Sequence, residues 1–445
     1  MNILIAGNSE LALHLCKLFS AEKHNITLIC PDRELIRVVE ASTDLMTVEG
    51  DSTSLTILKS ANAKKADLLL SMHLDGRVNI LTSILGKHLG AKKCIAKVNE
   101  PEYTTEKSKA YYKDLGIDYL VSPEKITAEE VTNLIKNTAA TEIFDFTNNQ
   151  LSIMLIRLDK DALVLNKSLN EIAHDYKKLD YRAVAIHRRS ETFIPHGSDV
   201  FREGDMAYVV TKPEGIDHLL KLGGKKRFAI SNIMIVGGGT VGSQAAIMLE
   251  KKFNVKLFET SRDRSEELTE VLNNTLVING DARDIDLLEN EGIRSMDAFV
   301  AVTNNSETNI LTCLLARKYG VKKTIALVEN LDFIEISQNI GIDTIINKKL
   351  ATASYIIRFT MTAEVISTKC LTGIDAEVFE FVAKDNSPIT RKPIRKLKFP
   401  KDAIIGGIIR ENEGFIATGD FQIQPGDNVV VFALPKAFHA VDKFF

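Results

Sequence analysis

The stretch Ile233-Met234-Ile235-Val236-Gly237-Gly238-Gly239-Thr240-Val241-Gly242 decides the fold. Four apolar residues run straight into a G-x-G-x-x-G turn and then into a helical pattern over Val241–Lys252, the strand–turn–helix context that a dinucleotide-binding loop requires. In such a loop Gly237 permits the tight turn and Gly239 leaves no side chain between backbone and phosphate. Gly242 lets the helix approach the sheet, so that its N-terminal N–H groups face a diphosphate. The next apolar strand, Val255–Glu259, ends on a carboxylate 17 residues after Gly242. A carboxylate there accepts hydrogen bonds from the ribose 2′- and 3′-hydroxyls and repels a 2′-phosphate. Gly280-Asp281-Ala282 follows the third strand, where Asp281 and the backbone would border an adenine. Thr303-Asn304 follows the fourth, near the phosphates; ordinary turn chemistry accounts for either segment equally well. The candidate cofactor-binding residues are Gly237, Gly238, Gly239, Thr240, Val241, Gly242, Glu259, Asp281, Ala282, Thr303 and Asn304, and the expected ligand is an adenine nucleotide.

Working outward, the same plan occurs twice. Asn2-Ile3-Leu4-Ile5-Ala6-Gly7 recurs as Asn232-Ile233-Met234-Ile235-Val236-Gly237, Gly50-Asp51 as Gly280-Asp281, and Asn79-Ile80-Leu81 as Asn309-Ile310-Leu311, all at one offset of 230. Later, Phe193-Ile194, Gly197 and Gly204-Asp205 recur as Phe415-Ile416, Gly419 and Gly426-Asp427, at an offset of 222. The halves meet near Gly223-Gly224-Lys225-Lys226-Arg227. Apolar strands alternating with amphipathic helices predict a parallel sheet covered on both faces. The expected fold class is α/β: two Rossmann-like doubly wound units, over 1–122 and 229–350, each followed by a small α+β unit, over 140–224 and 366–445. Candidate helices linking the parts are Thr127–Lys136 and Leu350–Met361.

The first copy of the loop is degenerate. It reads Gly7-Asn8-Ser9-Glu10-Leu11-Ala12, keeping one of three glycines, and Cys30 stands where the second copy has Glu259. Ser9 is expected to put a side chain where phosphate approaches, and Glu10 a negative charge beside it. Asp32 is the candidate substitute for the missing carboxylate. The expectation is a Rossmann frame with an impaired site, hence close to one nucleotide per chain.

Composition removes several classes. With 445 residues, two to four domains are expected. A net charge of −3 is unlike a nucleic-acid binder, so no nucleic-acid partner is expected. No apolar run approaches the ~20 residues of a spanning helix. Met1-Asn2-Ile3-Leu4-Ile5 reads as a first strand and not as a signal peptide. Five scattered cysteines, Cys16, Cys30, Cys94, Cys313 and Cys370, read as buried small hydrophobes in a reducing compartment. His187 and His196 lack further ligands nearby, so no metal site is expected. The small units show no Ser-Tyr-Lys or His-Asp set, so no catalytic residue is assigned and turnover is not expected. The dense run Arg391, Lys392, Arg395, Lys396, Lys398 and Lys401 reads as a solvated loop or as a contact for anionic lipid or an acidic protein.

The tandem plan, the intact loop, Glu259, Gly280-Asp281-Ala282, Ala301-Val302-Thr303-Asn304-Asn305-Ser306-Glu307-Thr308-Asn309 and Leu350-Ala351-Thr352-Ala353 together resemble TrkA-type peripheral regulatory subunits of Trk potassium uptake systems, over essentially the whole chain. The resemblance implies two regulator-of-potassium-conductance modules, each with a nucleotide-binding N-terminal part. It implies NAD or NADH as ligand, with ATP or ADP as alternatives, and a homotetramer forming a ring of modules. It also implies a cytoplasmic protein, peripheral on the inner face of the plasma membrane, docked on a TrkH-like potassium transporter subunit that ligand-dependent rearrangement of the ring gates. The alternatives are a nucleotide-sensing regulator of another transporter, such as an efflux antiporter, and an NAD-dependent oxidoreductase. The family usually keeps nucleotide-binding residues in its first copy, so Ser9, Ala12 and Cys30 depart from its pattern.

Overall fold

The computed structural model describes residues 1–22, 24–136, 143–176, 181–189, 191–225, 228–361, 363–371 and 376–445. The start of the first small unit at Ala140, the junction residues Lys226 and Arg227, and the side chain of Cys370 lie outside the described residues.

Among the described residues, two six-stranded sheets and two five-stranded sheets alternate along the chain. Each six-stranded sheet has the local strand order 3-2-1-4-5-6, all parallel where registers are drawn, and is thus a doubly wound α/β sheet as expected. Asn2 pairs with Asn25 and Ile3 with Leu68; the second copy repeats this with Asn232 on Asn254 and Ile233 on Ala298. Central strands such as Leu68–Ser71 and Ala298–Ala301 are buried at every position, because helices cover both faces. Helix starts follow the side chains that can cap them. Ser261 accepts from Arg264 N, Asp75 from Arg77 N, and Asn305 from Thr308 N at 2.6 Å.

By packing, the chain divides into two bodies, Met1–Ile126 with Lys348–Met361, and Thr127–Asn347 with Thr362–Phe445. The two candidate linking helices run over Pro123–Lys136 and Lys348–Ile357, and each packs with the Rossmann unit of the other half. Ala128, Val131, Leu134 and Ile135 share a core with Ile233, Ile235, Val300 and Ile325. Burial of Val131, Leu134 and Ile135 at roughly 1.5–3 kcal/mol each makes that docking worth several kcal/mol before ordering costs. In the first body Thr352, Ala353, Ile356 and Ile357 are buried, a helical i, i+1, i+4, i+5 stripe. Phe359 beyond it packs on Tyr119 with ring centroids 4.2 Å apart.

The small units are antiparallel, with equivalent strand orders. Their sheets pack on one another through a shared core of Phe146, Leu151, Tyr208, Val378, Val430 and Phe432. At the seam, a Cβ on Gly406 would lie 2.7 Å from Val210 and one on Gly407 2.5 Å from Leu151, so the close approach of the sheets requires glycine at both. Each unit carries the same ion pair, its carboxylate buried and its guanidinium partly exposed. Arg188 donates to both carboxylate oxygens of Asp205 at 2.7 Å, and Arg410 does the same to Asp427 at 2.8 and 2.7 Å. The strand Val365–Cys370 and the helix Leu169–Asp175 are additions to the expected elements. Among the described residues no helix is long and apolar enough to cross a membrane.

Candidate functional site

The carboxyl edge of the second parallel sheet gathers the candidate residues. Gly237 N donates to Phe258 O at 2.9 Å and Gly280 N to Glu259 O at 2.9 Å, which draws the ends of the first three strands into one rim. Gly237 has φ +105°, and a Cβ there would sit 2.9 Å from Thr303 N, so the turn and the fourth strand's end can touch only at a glycine. Gly242 does its work against the loop itself: a Cβ would lie 1.9 Å from Gly237 O. Gly238 is buried, and its N–H donates to Glu259 Oε2 at 2.8 Å; a side chain there would collide with that oxygen and with Leu268. The other Glu259 oxygen accepts from Ser261 N at 2.8 Å. Oε1 also accepts from the Thr260 hydroxyl at 3.3 Å, so the carboxylate is fixed at the rim and Oε2, with one donor, keeps a lone pair for a further one.

Gly239 differs from its neighbours. It is exposed, and no atom lies within 4 Å of the Cβ position. It is also the N-cap of the helix Thr240–Leu249, with no side-chain cap, and the first helical bond is Ser243 N to Gly239 O. The N–H groups of Thr240, Val241 and Gly242 precede that bond, the arrangement that favours an anion at a helix start. This open, uncapped cradle, next to a fixed carboxylate, fits a diphosphate joined to a ribose.

The remaining candidates divide. Asp281 is turned to Arg283, accepting from its N at 2.9 Å and its Nη2 at 2.6 Å. These hydrogen bonds hold its carboxyl below the ordinary carboxylate range. Ala282 is buried beneath the rim at 3% exposure, so only its backbone is available. Thr303 is held by Asn309, whose Oδ1 accepts from Thr303 N at 3.0 Å and from its hydroxyl at 2.7 Å; Asn304 is exposed. Asn309 Nδ2 also ties Thr303 O to Leu327 O, locking two strand ends together. Asn309 and Arg264, whose Nε donates to Gly238 O at 3.1 Å, are support residues outside the candidate set. The recurrence of Asn79 at Asn309 was the available signal for the first; Arg264 had none.

The first sheet has the same rim with different contents. Gly7 presses on Met72, a Cβ there lying 2.6 Å from its carbonyl, just as Gly237 presses on the fourth strand's end. Ser9 corrects an expectation. Its hydroxyl does not project toward a phosphate; it turns inward, donates to Met72 O and accepts from Ala12 N at 3.2 Å. The side chain caps the helix and consumes an amide that the second copy leaves uncapped. Glu10 is paired with Lys349 of the exchanged helix at 2.6 Å. Asp32, the candidate substitute for Glu259, caps the next helix through its Oδ1, accepting from Glu34 N at 2.9 Å and Leu35 N at 3.2 Å. Where the second copy has Ala282 and Thr303, the first has Ser52 and His73, with Ser52 Oγ 2.9 Å from His73 Nε2 and 2.8 Å from Thr82 Oγ1, all buried.

Burial depresses the His73 pKa below 6.5. The unfolded chain takes up a proton near pH 6.5 and the folded site resists it. The His73 contribution is therefore complete above about pH 6.5 and is lost as pH falls toward the folded value. Hydrogen-exchange protection of Leu68–Ser71 is expected to drop between pH 7 and pH 5, and His73→Gln to flatten that dependence; an unchanged slope would refute the assignment.

Among the other expectations, Cys16, Cys30, Cys94 and Cys313 are free and buried. His187 Nδ1 lies 2.8 Å from Thr192 Oγ1 across a hairpin.

Comparison with known proteins places these observations. The TrkA-N domain model matches residues 3–123 and 233–348, and the TrkA-C domain model matches residues 153–223 and 378–445. The chain is 32% identical to the Trk system potassium uptake protein TrkA homolog 1 of Methanosarcina mazei, over 100% of both chains. It is 30% identical to the Trk system potassium uptake protein TrkA of Haemophilus influenzae, over 98% of this chain and 96% of that one. Among solved structures, the GsuK channel bound to NAD shares the fold with a TM-score of 0.60 at 17% identity, covering 99% of this chain and 78% of that one.

Proposed function

Because the chain belongs to the TrkA family of Trk system potassium uptake proteins, we propose that it is a nucleotide-binding regulatory subunit of a membrane potassium transporter. The ligand is NAD or NADH, with ATP or ADP as competitors, and it occupies the crevice of the second Rossmann unit. The observation that carries this is the contrast between Gly239, open and uncapped, and Ser9, whose hydroxyl caps its own helix. Backbone amides of Thr240, Val241 and Gly242 would hold the diphosphate, and Glu259 the ribose hydroxyls. The adenine would lie along Gly280 and Asp281, and Thr303 would close the phosphate end. The matched relatives are named as potassium uptake proteins, which favours binding over hydride transfer as the role of a nicotinamide nucleotide in this crevice.

A ligand shifts a conformational equilibrium only by its differential affinity for two states. A change at the Gly237–Gly242 loop would reach the protein's surface through the helix Thr240–Leu249, which packs in one core with the exchanged helix Pro123–Lys136. In the same reading the protein assembles as a homotetramer into a ring of modules. In this reading the protein is cytoplasmic and docks on a TrkH-like subunit at the inner membrane face. Calorimetric titration with NADH, ATP and ADP is expected to give close to one tight site per chain. Two tight sites would overturn the division of labour between the copies, and none would overturn the function.

A further inference from the structure

We propose that the basic ridge Arg391–Lys401 of the second small unit is a docking surface for anionic phospholipid headgroups. The segment carries six cations and no acid in eleven residues. It is an ordered part of the fold. Ile389 N donates to Phe444 O at 3.0 Å, Ile394 N to Phe421 O at 3.1 Å, and Arg395 N to Gly419 O at 2.8 Å. Pro393 and Pro400 fix the backbone between these ties, and Phe399 stacks edge-on against Phe444 with centroids 5.1 Å apart.

The cations divide by chemistry. Both arginines are engaged within the unit: Arg391 donates to Asn386 O at 2.9 Å, and Arg395 pairs with Asp420 at 2.6 Å. Lys392, Lys396, Lys398 and Lys401 are exposed, and among the described residues none has a carboxylate at ion-pair distance. A lysine is a point charge without the planar fork by which arginine reads one carboxylate or phosphate. Four free lysines on a tied backbone therefore suit a diffuse, laterally mobile anionic sheet better than a single ligand or a defined acidic peptide.

The fold does not require this charge. At the offset of 222 the first small unit places the helix Leu169–Asp175, where Ile172 matches Ile394 but the neighbouring residues include Glu171 and Asp175. One copy of a duplicated unit thus concentrates positive charge where the other is mixed. The proposal does not depend on the nucleotide site, which calorimetry tests separately.

The experiment is co-sedimentation of the full chain with vesicles of phosphatidylcholine alone or mixed with phosphatidylglycerol. Binding is expected to the mixed vesicles only, and to weaken as salt rises. At roughly fivefold per surface lysine, joint replacement Lys392→Gln, Lys396→Gln, Lys398→Gln and Lys401→Gln is expected to cut partitioning more than about 100-fold. The same change at Lys59, Lys64, Lys107 and Lys113, exposed lysines of the first Rossmann unit, is expected to leave it within about twofold. Melting temperatures of both variants verify folding. Equal loss in both variants, equal binding to neutral vesicles, or no vesicle binding while polyglutamate is captured would each overturn the proposal, the last in favour of an acidic protein partner.

Discussion

Gly239→Asp is expected to lower nucleotide affinity by at least about 100-fold, or roughly 2.7 kcal/mol, while leaving melting temperature nearly unchanged. The two halves of that expectation come from one observation. Nothing occupies the space around the Gly239 Cβ position, so a side chain enters without displacing protein. That same space is where a diphosphate would meet the helix amides, and a carboxylate there both fills it and repels the ligand. Gly242→Ala provides the contrast, because its Cβ would lie 1.9 Å from Gly237 O and the loop itself must shift. Binding should then fall together with stability. Calorimetry beside thermal melting separates the outcomes; normal affinity in Gly239→Asp would remove the site from this crevice.

Asp427→Ala is expected to destabilise the second small unit by about 2–3 kcal/mol, the cost of losing charge-assisted hydrogen bonds to a buried carboxylate whose arginine partner keeps contact with water. The Asp427 residue is 2% exposed and accepts from Arg410 Nε, Arg410 Nη2 and Gln424 N. Its loss leaves the guanidinium, whose pKa that hydrogen-bonded pairing raises, without its counter-charge, and leaves Gln424 N without an acceptor. Asp205 and Arg188 form the same arrangement in the first small unit, with Arg202 N as the third donor. Urea denaturation is the measurement. A change under about 1 kcal/mol would mean that the pair is replaceable by water.

Much of this architecture was legible before any coordinates. The recurrence of Asn2–Gly7 at Asn232–Gly237 established duplication, and Val236 running into Gly237 established a Rossmann turn. The Glu259 carboxylate at the rim followed from its position at a strand end. What stayed hidden depended on direction and not on identity. Ser9 in sequence is a residue larger than glycine; only the backbone shows its hydroxyl turned to Met72 O and Ala12 N. Asp32 has the right chemistry for a ribose but lies two residues late, where it caps a helix. The apolar stripe of Pro123–Lys136 announces a covering helix without saying which sheet it covers, since both sheets offer similar apolar faces. Strand Val365–Cys370 was missed because Ser367, Thr368 and Lys369 break the apolar pattern at a sheet edge.

The traded helices have a consequence for how such a chain evolves. Neither half holds all the parts of its own Rossmann unit, since each unit is completed by a segment encoded in the other half. Free single modules could trade the same segments, but every pair would then be identical. Covalent duplication breaks that constraint, allowing one glycine turn to become a capped strut while its twin remains open. Every molecule thereby carries one of each, a fixed ratio that separate genes would have to reach by regulated expression.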